Sequence, residues 1–84
     1  MGRKRSSDKI LSLEYVSISE LVELSKVRYS TIKYYTEEGM IPFEQEDIRL
    51  IRKYPRELAL KRLEEIRVMK EEEGLTIKQI KEKL

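Results

Sequence analysis

The chain has 84 residues, enough for one small domain and too few for two of ordinary size. It contains no cysteine and no histidine, which excludes a disulfide scaffold, the common zinc sites and catalytic triads built on either residue. Lysine and arginine number 18 against 16 acidic residues, so the net charge of +2 alone does not indicate a polyanionic partner. No apolar run approaches the length of a membrane span, so we expect a soluble, cytoplasmic protein. The absence of asparagine beside abundant lysine and glutamate resembles thermophile composition.

The first 14 residues differ in character from the rest of the chain. Arg3, Lys4, Arg5 and Lys9 outnumber Asp8 and Glu14, and apolar residues show little periodicity. We predict a basic, flexible arm over residues 1–14, in front of a domain over residues 15–84. An ordinary frayed terminus or an expression remnant is the alternative explanation.

A short helix is predicted from about Ser17 to Ser25. Ser17 and Glu20 have the spacing of a capping box, in which each side chain bonds the other's backbone amide. Residues 26–28 then interrupt the helical pattern, with Val27 as an apolar plug. The break is short enough to make a tight turn between two helices.

A second helix is predicted from about Tyr29 to Glu38, ending at Gly39, which readily takes a left-handed C-terminal conformation. Ile32 and Tyr35 mark an inward stripe. The opposite face carries Ser30, Lys33, Tyr34 and Glu37. The alternative is a surface helix that binds no partner, but a tyrosine beside a lysine on an outward face indicates a binding role.

The remaining elements are a hairpin and two helices. Residues 40–43 and 48–52 flank an acidic tip, residues 44–47, and predict two short strands. Pro55 suits the first position of a third helix, which should end near Gly74. A second capping box begins a last helix, which places three side chains inward: Ile77, Ile80 and Leu84.

Two short helices joined by a tight turn form a helix-turn-helix, whose second helix can enter the major groove of DNA. Its start and outer face supply hydrogen-bonding and charged side chains, and the hairpin adds further cations and an aromatic residue. The candidate DNA-binding residues are Arg28, Tyr29, Ser30, Lys33, Tyr34, Arg49, Arg52, Lys53 and Tyr54.

Residues 15–42, YVSISELVELSKVRYSTIKYYTEEGMIP, resemble the start of a MerR-family DNA-binding domain. The family pattern combines an I-x-E-L opening, a V-x-x-x-T-I-[RK]-Y-Y recognition helix and a G-[LM]-[LI]-P exit. The residues in register are Ile18, Glu20, Leu21, Leu24, Val27, Thr31, Ile32, Lys33, Tyr34, Tyr35, Gly39, Met40, Ile41 and Pro42. Residues 51–54 also fall where the family has Y-R-x-Y, and the two-helix ending follows more loosely.

The resemblance implies a mainly α winged helix-turn-helix, with a short two-stranded wing and two further helices. It implies sequence-specific binding of double-stranded DNA by a transcriptional regulator, with residues 29–38 in the major groove and the wing, residues 40–54, on the flanking backbone. Lys33 and Tyr34 would reach bases or backbone, and Arg52 and Tyr54 would hold phosphates. Tyr29 and Ser30 stand where family members often place groove-reading side chains, whereas Thr31, Ile32 and Tyr35 would pack and orient the helix.

The chain departs from the family pattern at several positions. Arg28 replaces a small capping serine, Ser30 stands where arginine is common, and the tip 44–47 is acidic. Leu50 and Ile51 replace a Gly-Tyr pair. The family's dimerisation helix and effector segment are also missing from these 84 residues, as in an excised domain or a small stand-alone member. A lone domain covers one half-site, so we expect a second copy on adjacent half-sites.

The sequence is also compatible with a different function class. A protein-interaction or assembly module, or an excisionase-like accessory factor in recombination, would use the mixed-charge third helix, including the acidic run 71–73. An enzyme is not expected, because paired carboxylates such as Glu44 and Glu46 would lie on an exposed tip. Neither a cofactor nor a metal is expected.

Overall fold

The structure is a computed structural model that describes residues 14–45, 47 and 49–84. The predicted arm therefore lies outside the described residues, apart from Glu14. The elements in chain order are β1 (Tyr15–Val16), α1 (Ile18–Ser25), α2 (Tyr29–Glu37), β2 (Tyr54–Pro55), α3 (Arg56–Glu71) and α4 (Ile77–Lys83).

The helix-turn-helix forms as predicted. The backbone amide of Ser17 donates to Glu20 Oε1 at 2.8 Å, and the amide of Glu20 donates to Ser17 Oγ at 3.2 Å, so the capping box fixes the start of α1. Lys26 ends α1 in a left-handed conformation (φ 62°), and its amide donates to the carbonyl of Val22. The chain turns there and enters α2, which packs against α1.

The end of α2 also agrees with the sequence to within one residue. Gly39 has φ 73°, a conformation that costs a side-chain-bearing residue free energy. The next amide, that of Met40, donates back to the carbonyl of Tyr35 at 2.9 Å. This closure satisfies a carbonyl in the last turn and directs the chain into the wing.

The fold class is confirmed: the protein is a mainly α winged helix-turn-helix, but its strands are not where the sequence placed them. The two-stranded antiparallel sheet joins β1 to β2, with Tyr15 opposite Pro55 and Val16 opposite Tyr54. The predicted strands at residues 40–43 and 48–52 are not formed in their described residues. Met40 and Ile41 are both buried, whereas a pleated strand would turn alternate side chains outward.

An antiparallel bridge between Glu44 and Lys53 closes the wing instead. The amide of Glu44 donates to the carbonyl of Lys53 at 2.7 Å, and the amide of Lys53 donates to the carbonyl of Glu44 at 2.8 Å. The arms of the wing therefore run antiparallel as predicted, and among the described residues the backbone pair Glu44–Lys53 sets their register.

Helices α3 and α4 complete the domain. Pro55 caps α3 from outside rather than opening it, one position from the prediction. Thr76 and Gln79 form the predicted capping box of α4. The prediction for Leu84 was wrong: its side chain is 41% exposed, because it lies beyond the last residue of α4.

One hydrophobic core joins these elements. It contains side chains from β1 and β2, from helices α1 to α4 and from the start of the wing. These are Val16, Leu21, Ile32, Tyr35, Met40, Ile41, Tyr54, Ala59, Leu63, Ile66 and Ile80. Within the described residues, none of the helices has the length and apolar character that crossing a bilayer requires.

Candidate nucleic-acid interface

Helix α2 has one buried face and one exposed face. Ile32, Tyr35 and Thr36 are buried against the rest of the domain. The outer face of α2, which we define as Ser30, Lys33, Tyr34 and Glu37, is exposed. The buried stripe thus holds the helix rigidly while its hydrogen-bonding side chains point away from the core.

The start of α2 adds an exposed cation. Arg28 takes the N-cap position in an extended conformation and makes no side-chain capping hydrogen bond. The positive end of the helix dipole and the guanidinium therefore lie together at this terminus, where both favour an anion. Tyr29, the first helical residue, is also exposed.

Arg49 in the wing is already engaged within the protein. Its Nε and Nη2 donate to Asp47 Oδ1 and Oδ2 at 3.2 and 3.3 Å, and its backbone amide donates to Oδ1 at 2.9 Å. These bonds hold the pKa of Asp47 below its ordinary value. Arg49 is therefore a partly neutralised cation, and Asp47 repels phosphate less than an unpaired carboxylate would.

Arg52 and Lys53 are held in different ways. The guanidinium carbon of Arg52 lies 5.1 Å from the centroid of the Phe43 ring, a cation–π arrangement that keeps it half-buried. Lys53 is exposed, and its backbone makes both hydrogen bonds of the wing bridge to Glu44. The bridge thus fixes the position from which the Lys53 ammonium extends.

The prediction that Tyr54 holds a phosphate is inconsistent with the structure. Its side chain is 0% exposed, and its hydroxyl lies 2.9 Å from Thr36 Oγ1 inside the domain. Tyr54 pairs with the buried Val16, so it faces inward while its neighbour Lys53 faces outward. Strand alternation around an exposed Lys53 was the signal that could have revealed this.

Residues that flank α2 were not predicted from the sequence. Lys81 Nζ of α4 donates to Glu38 Oε1 at 2.8 Å, which raises the pKa of Lys81. A cleft beside this ion pair is lined by Tyr34 and, from α4, by Lys78. Only tertiary packing brings these residues together, because 43 positions separate the two members of the ion pair.

Comparison with known proteins identifies one family. The model of a family described as MerR HTH family regulatory protein matches residues 16–84, a range that includes helices α1 to α4. No curated protein and no solved structure was found to match the chain.

Proposed function

Because the chain belongs to the MerR family of helix-turn-helix regulatory proteins, we propose that it reads a specific duplex sequence as a transcriptional regulator, with α2 in the major groove. This membership confirms the resemblance derived from residues 15–54. The members of this family are DNA-binding regulators rather than enzymes. The wing, residues 40–54, would lie along the flanking backbone.

The observation that supports this proposal best is that α2 has one buried face and one exposed polar face. Base reading requires hydrogen-bonding side chains on an exposed helix face that is held firmly from behind. Lys33 and Tyr34 meet the first requirement, and the buried Ile32 meets the second. Arg28, at the positive end of the helix, is placed to contact a phosphate while the outer face of α2 contacts base edges.

The wing would contribute through backbone contacts. Lys53 is the best candidate, because it is exposed and the bridge fixes its backbone. Arg49 and Arg52 would each have to loosen an internal contact first, to Asp47 and to Phe43 respectively. We therefore expect their contributions to be smaller. One such domain covers one half-site, so tight binding would need a second copy.

The proposal is tested by titrating duplex DNA into isotope-labelled protein while observing backbone amides. We expect shifts concentrated in residues 28–38 and 49–53, with the outer face of α3 around Glu64 as the internal control. Binding should weaken steeply as salt rises, since phosphate contacts release counterions. Shifts spread evenly over the surface, or equal affinity for every sequence, would contradict groove reading.

The assembly-module alternative remains a prediction. The surface expected for such a module is the outer face of α3, where many charges already pair with one another. Arg67 pairs with Glu64, Glu71 and Glu72. Such a neutralised helical face is typical of solvent exposure rather than of a docking surface. Sedimentation with and without DNA distinguishes the two functions, because an assembly module would associate without DNA.

A further inference from the structure

Two buried hydroxyl groups connect the recognition helix to the end of the wing. Thr36 Oγ1 donates to the carbonyl of Ile32 at 2.7 Å and lies 2.9 Å from the hydroxyl of Tyr54. Since the single hydroxyl proton of Thr36 goes to Ile32, Tyr54 must donate to Thr36. The result is a directed chain of hydrogen bonds from Tyr54 through Thr36 into the backbone of α2.

The buried environment makes these two hydrogen bonds strong and directional. Thr36 and Tyr54 are 2% and 0% exposed, so water does not compete for either bond. Consecutive hydroxyl groups polarise one another, which strengthens each bond. A ring without the hydroxyl would still fill the same space, but it would lack the hydrogen bond that ties it to Thr36 of α2.

Tyr54 also stands where the wing is anchored. Its neighbour Lys53 makes both hydrogen bonds of the wing bridge, and Tyr54 itself pairs with Val16 of β1. One residue therefore contacts the recognition helix with its side chain while its backbone adjoins the wing bridge. A shift of Tyr54 along α2 would move Lys53 with it.

We propose that Tyr54 and Thr36 are positioning residues, which set the wing cations at a fixed distance and angle from the outer face of α2 without touching DNA. This inference rests on the proposed function. DNA presents phosphates and base edges at fixed spacings, so two contact regions bind together only when their separation matches. The hydroxyl chain supplies that match in advance and reduces the ordering that binding requires.

The test uses variants that differ only in this chain. Tyr54→Phe removes one bond and leaves Thr36 bonded to Ile32, so the domain should remain folded. Thr36→Val removes both side-chain bonds with nearly unchanged shape, whereas Thr36→Ser keeps the hydroxyl. The matched control is Tyr35→Phe, which removes a hydroxyl from another core tyrosine and leaves the hydrogen bonds between Tyr54, Thr36 and Ile32 intact.

Two measurements separate positioning from simple stability. Residual dipolar couplings of the DNA-free protein report the orientation of the wing relative to α2. Affinity for a specific duplex is then measured for Tyr54→Phe alone, for Lys53→Ala alone and for both together. We expect Tyr54→Phe to reorient or loosen the wing and to weaken binding by about three- to tenfold, in line with one hydrogen bond.

The double variant decides the mechanism. If Tyr54 acts through the wing, its substitution should add little once Lys53→Ala has removed the cation, and Thr36→Ser should restore most of the affinity lost in Thr36→Val. Full additivity, or unchanged couplings in Tyr54→Phe, would overturn the inference even if the protein binds DNA well. Failure of the unaltered protein to prefer any duplex would instead overturn the proposed function. The dipolar couplings would still show whether the hydrogen bonds of Tyr54 and Thr36 position the wing.

Discussion

The recognition helix and the wing hold their polar groups in opposite ways. In α2 the outer face needs no rearrangement before binding, because a regular helix and a buried stripe fix it from behind. In the described part of the wing one backbone bridge sets the register, and two of three cations already have partners inside the protein. Affinity should therefore depend mostly on α2, and the wing should adjust it.

The difference also concerns stability. The wing arm from Met40 to Ile41 is buried, but the part near Leu50 and Ile51 is exposed and makes little core contact. By contrast, α2 contributes three buried residues to the domain. Damage to the buried face of α2 should thus affect both folding and binding, whereas damage to the outer wing should affect binding alone.

The same substitution in the two regions gives the largest expected contrast. Ile32→Ala removes a side chain that is 0% exposed and should destabilise the domain by about 2–5 kcal/mol. Ile51→Ala removes one that is 78% exposed and should change stability by less than about 0.5 kcal/mol. Chemical denaturation of both variants checks the contrast, and similar losses would show that the outer wing around Ile51 also packs against the core.

The next contrast concerns DNA affinity. Lys33→Ala should weaken specific binding about tenfold and lower the salt slope by about one, while the melting temperature stays nearly unchanged. Tyr34→Phe should weaken binding less, because only the hydroxyl is lost. A large drop in melting temperature for either variant would show that the outer face of α2 is wrongly assigned.

The matched wing variant is Arg49→Ala, with an expected loss of at most about threefold, because Asp47 already occupies the guanidinium. Asp47→Asn should strengthen binding by freeing Arg49 and removing a negative charge. Fluorescence anisotropy at several salt concentrations measures all four variants. An effect of Arg49→Ala as large as that of Lys33→Ala would overturn the ranking of the two regions.

Local signals explain why the helices could be predicted from the sequence. Both capping boxes lie within four consecutive residues, and the glycine after α2 acts through its own backbone. The inward position of Ile32 and Tyr35 also follows from helical spacing alone. These features need no knowledge of what the helices pack against.

The wing could not be predicted to the same depth, because its structure depends on pairing with a distant strand and on an ion pair that no periodic pattern reveals. Alternation with Lys53 is a local sign that Tyr54 faces inward, but no local pattern reveals that β1 is the strand with which β2 pairs. Asp47 is neutralised by Arg49 two residues later, although from the sequence it belongs simply to an acidic tip. A basic and aromatic run therefore resembled a phosphate-binding strand although its tyrosine serves the core.

A smaller effect should come from the missing cap of α2. Arg28→Ser would restore a capping side chain and should stabilise the domain by about 0.5–1 kcal/mol. It should also weaken DNA binding, because the cation at the start of α2 is lost. Thermal unfolding and anisotropy measure the two effects, with Ser17→Ala as the opposite change at α1. A variant that gains affinity would show that Arg28 does not face the phosphates.

The smallest effects should appear as a pH dependence that differs between the two regions. Asp47 in the wing has a pKa held below its ordinary 3.8 by Arg49, so its carboxylate favours the folded wing above that pH. This stabilisation disappears as the pH falls through the lowered pKa. Burial raises the pKa of Tyr35 in α2 above 10.0, so folding is opposed once the unfolded chain begins to ionise there. Acid should therefore loosen the wing first, and alkali should destabilise the packing of α2.

Carboxyl and amide NMR titrations measure the acid effect, and denaturation between pH 9 and about 11 measures the alkaline one. Arg49→Gln should raise the midpoint of Asp47 and abolish the associated shifts of the wing amides, while leaving the alkaline behaviour unchanged. Tyr35→Phe should flatten the alkaline decline and leave the acid titration unchanged. If either variant altered both limbs, the wing and α2 would titrate as one unit, and the hydroxyl chain between Tyr54 and Thr36 is the contact through which they would be coupled.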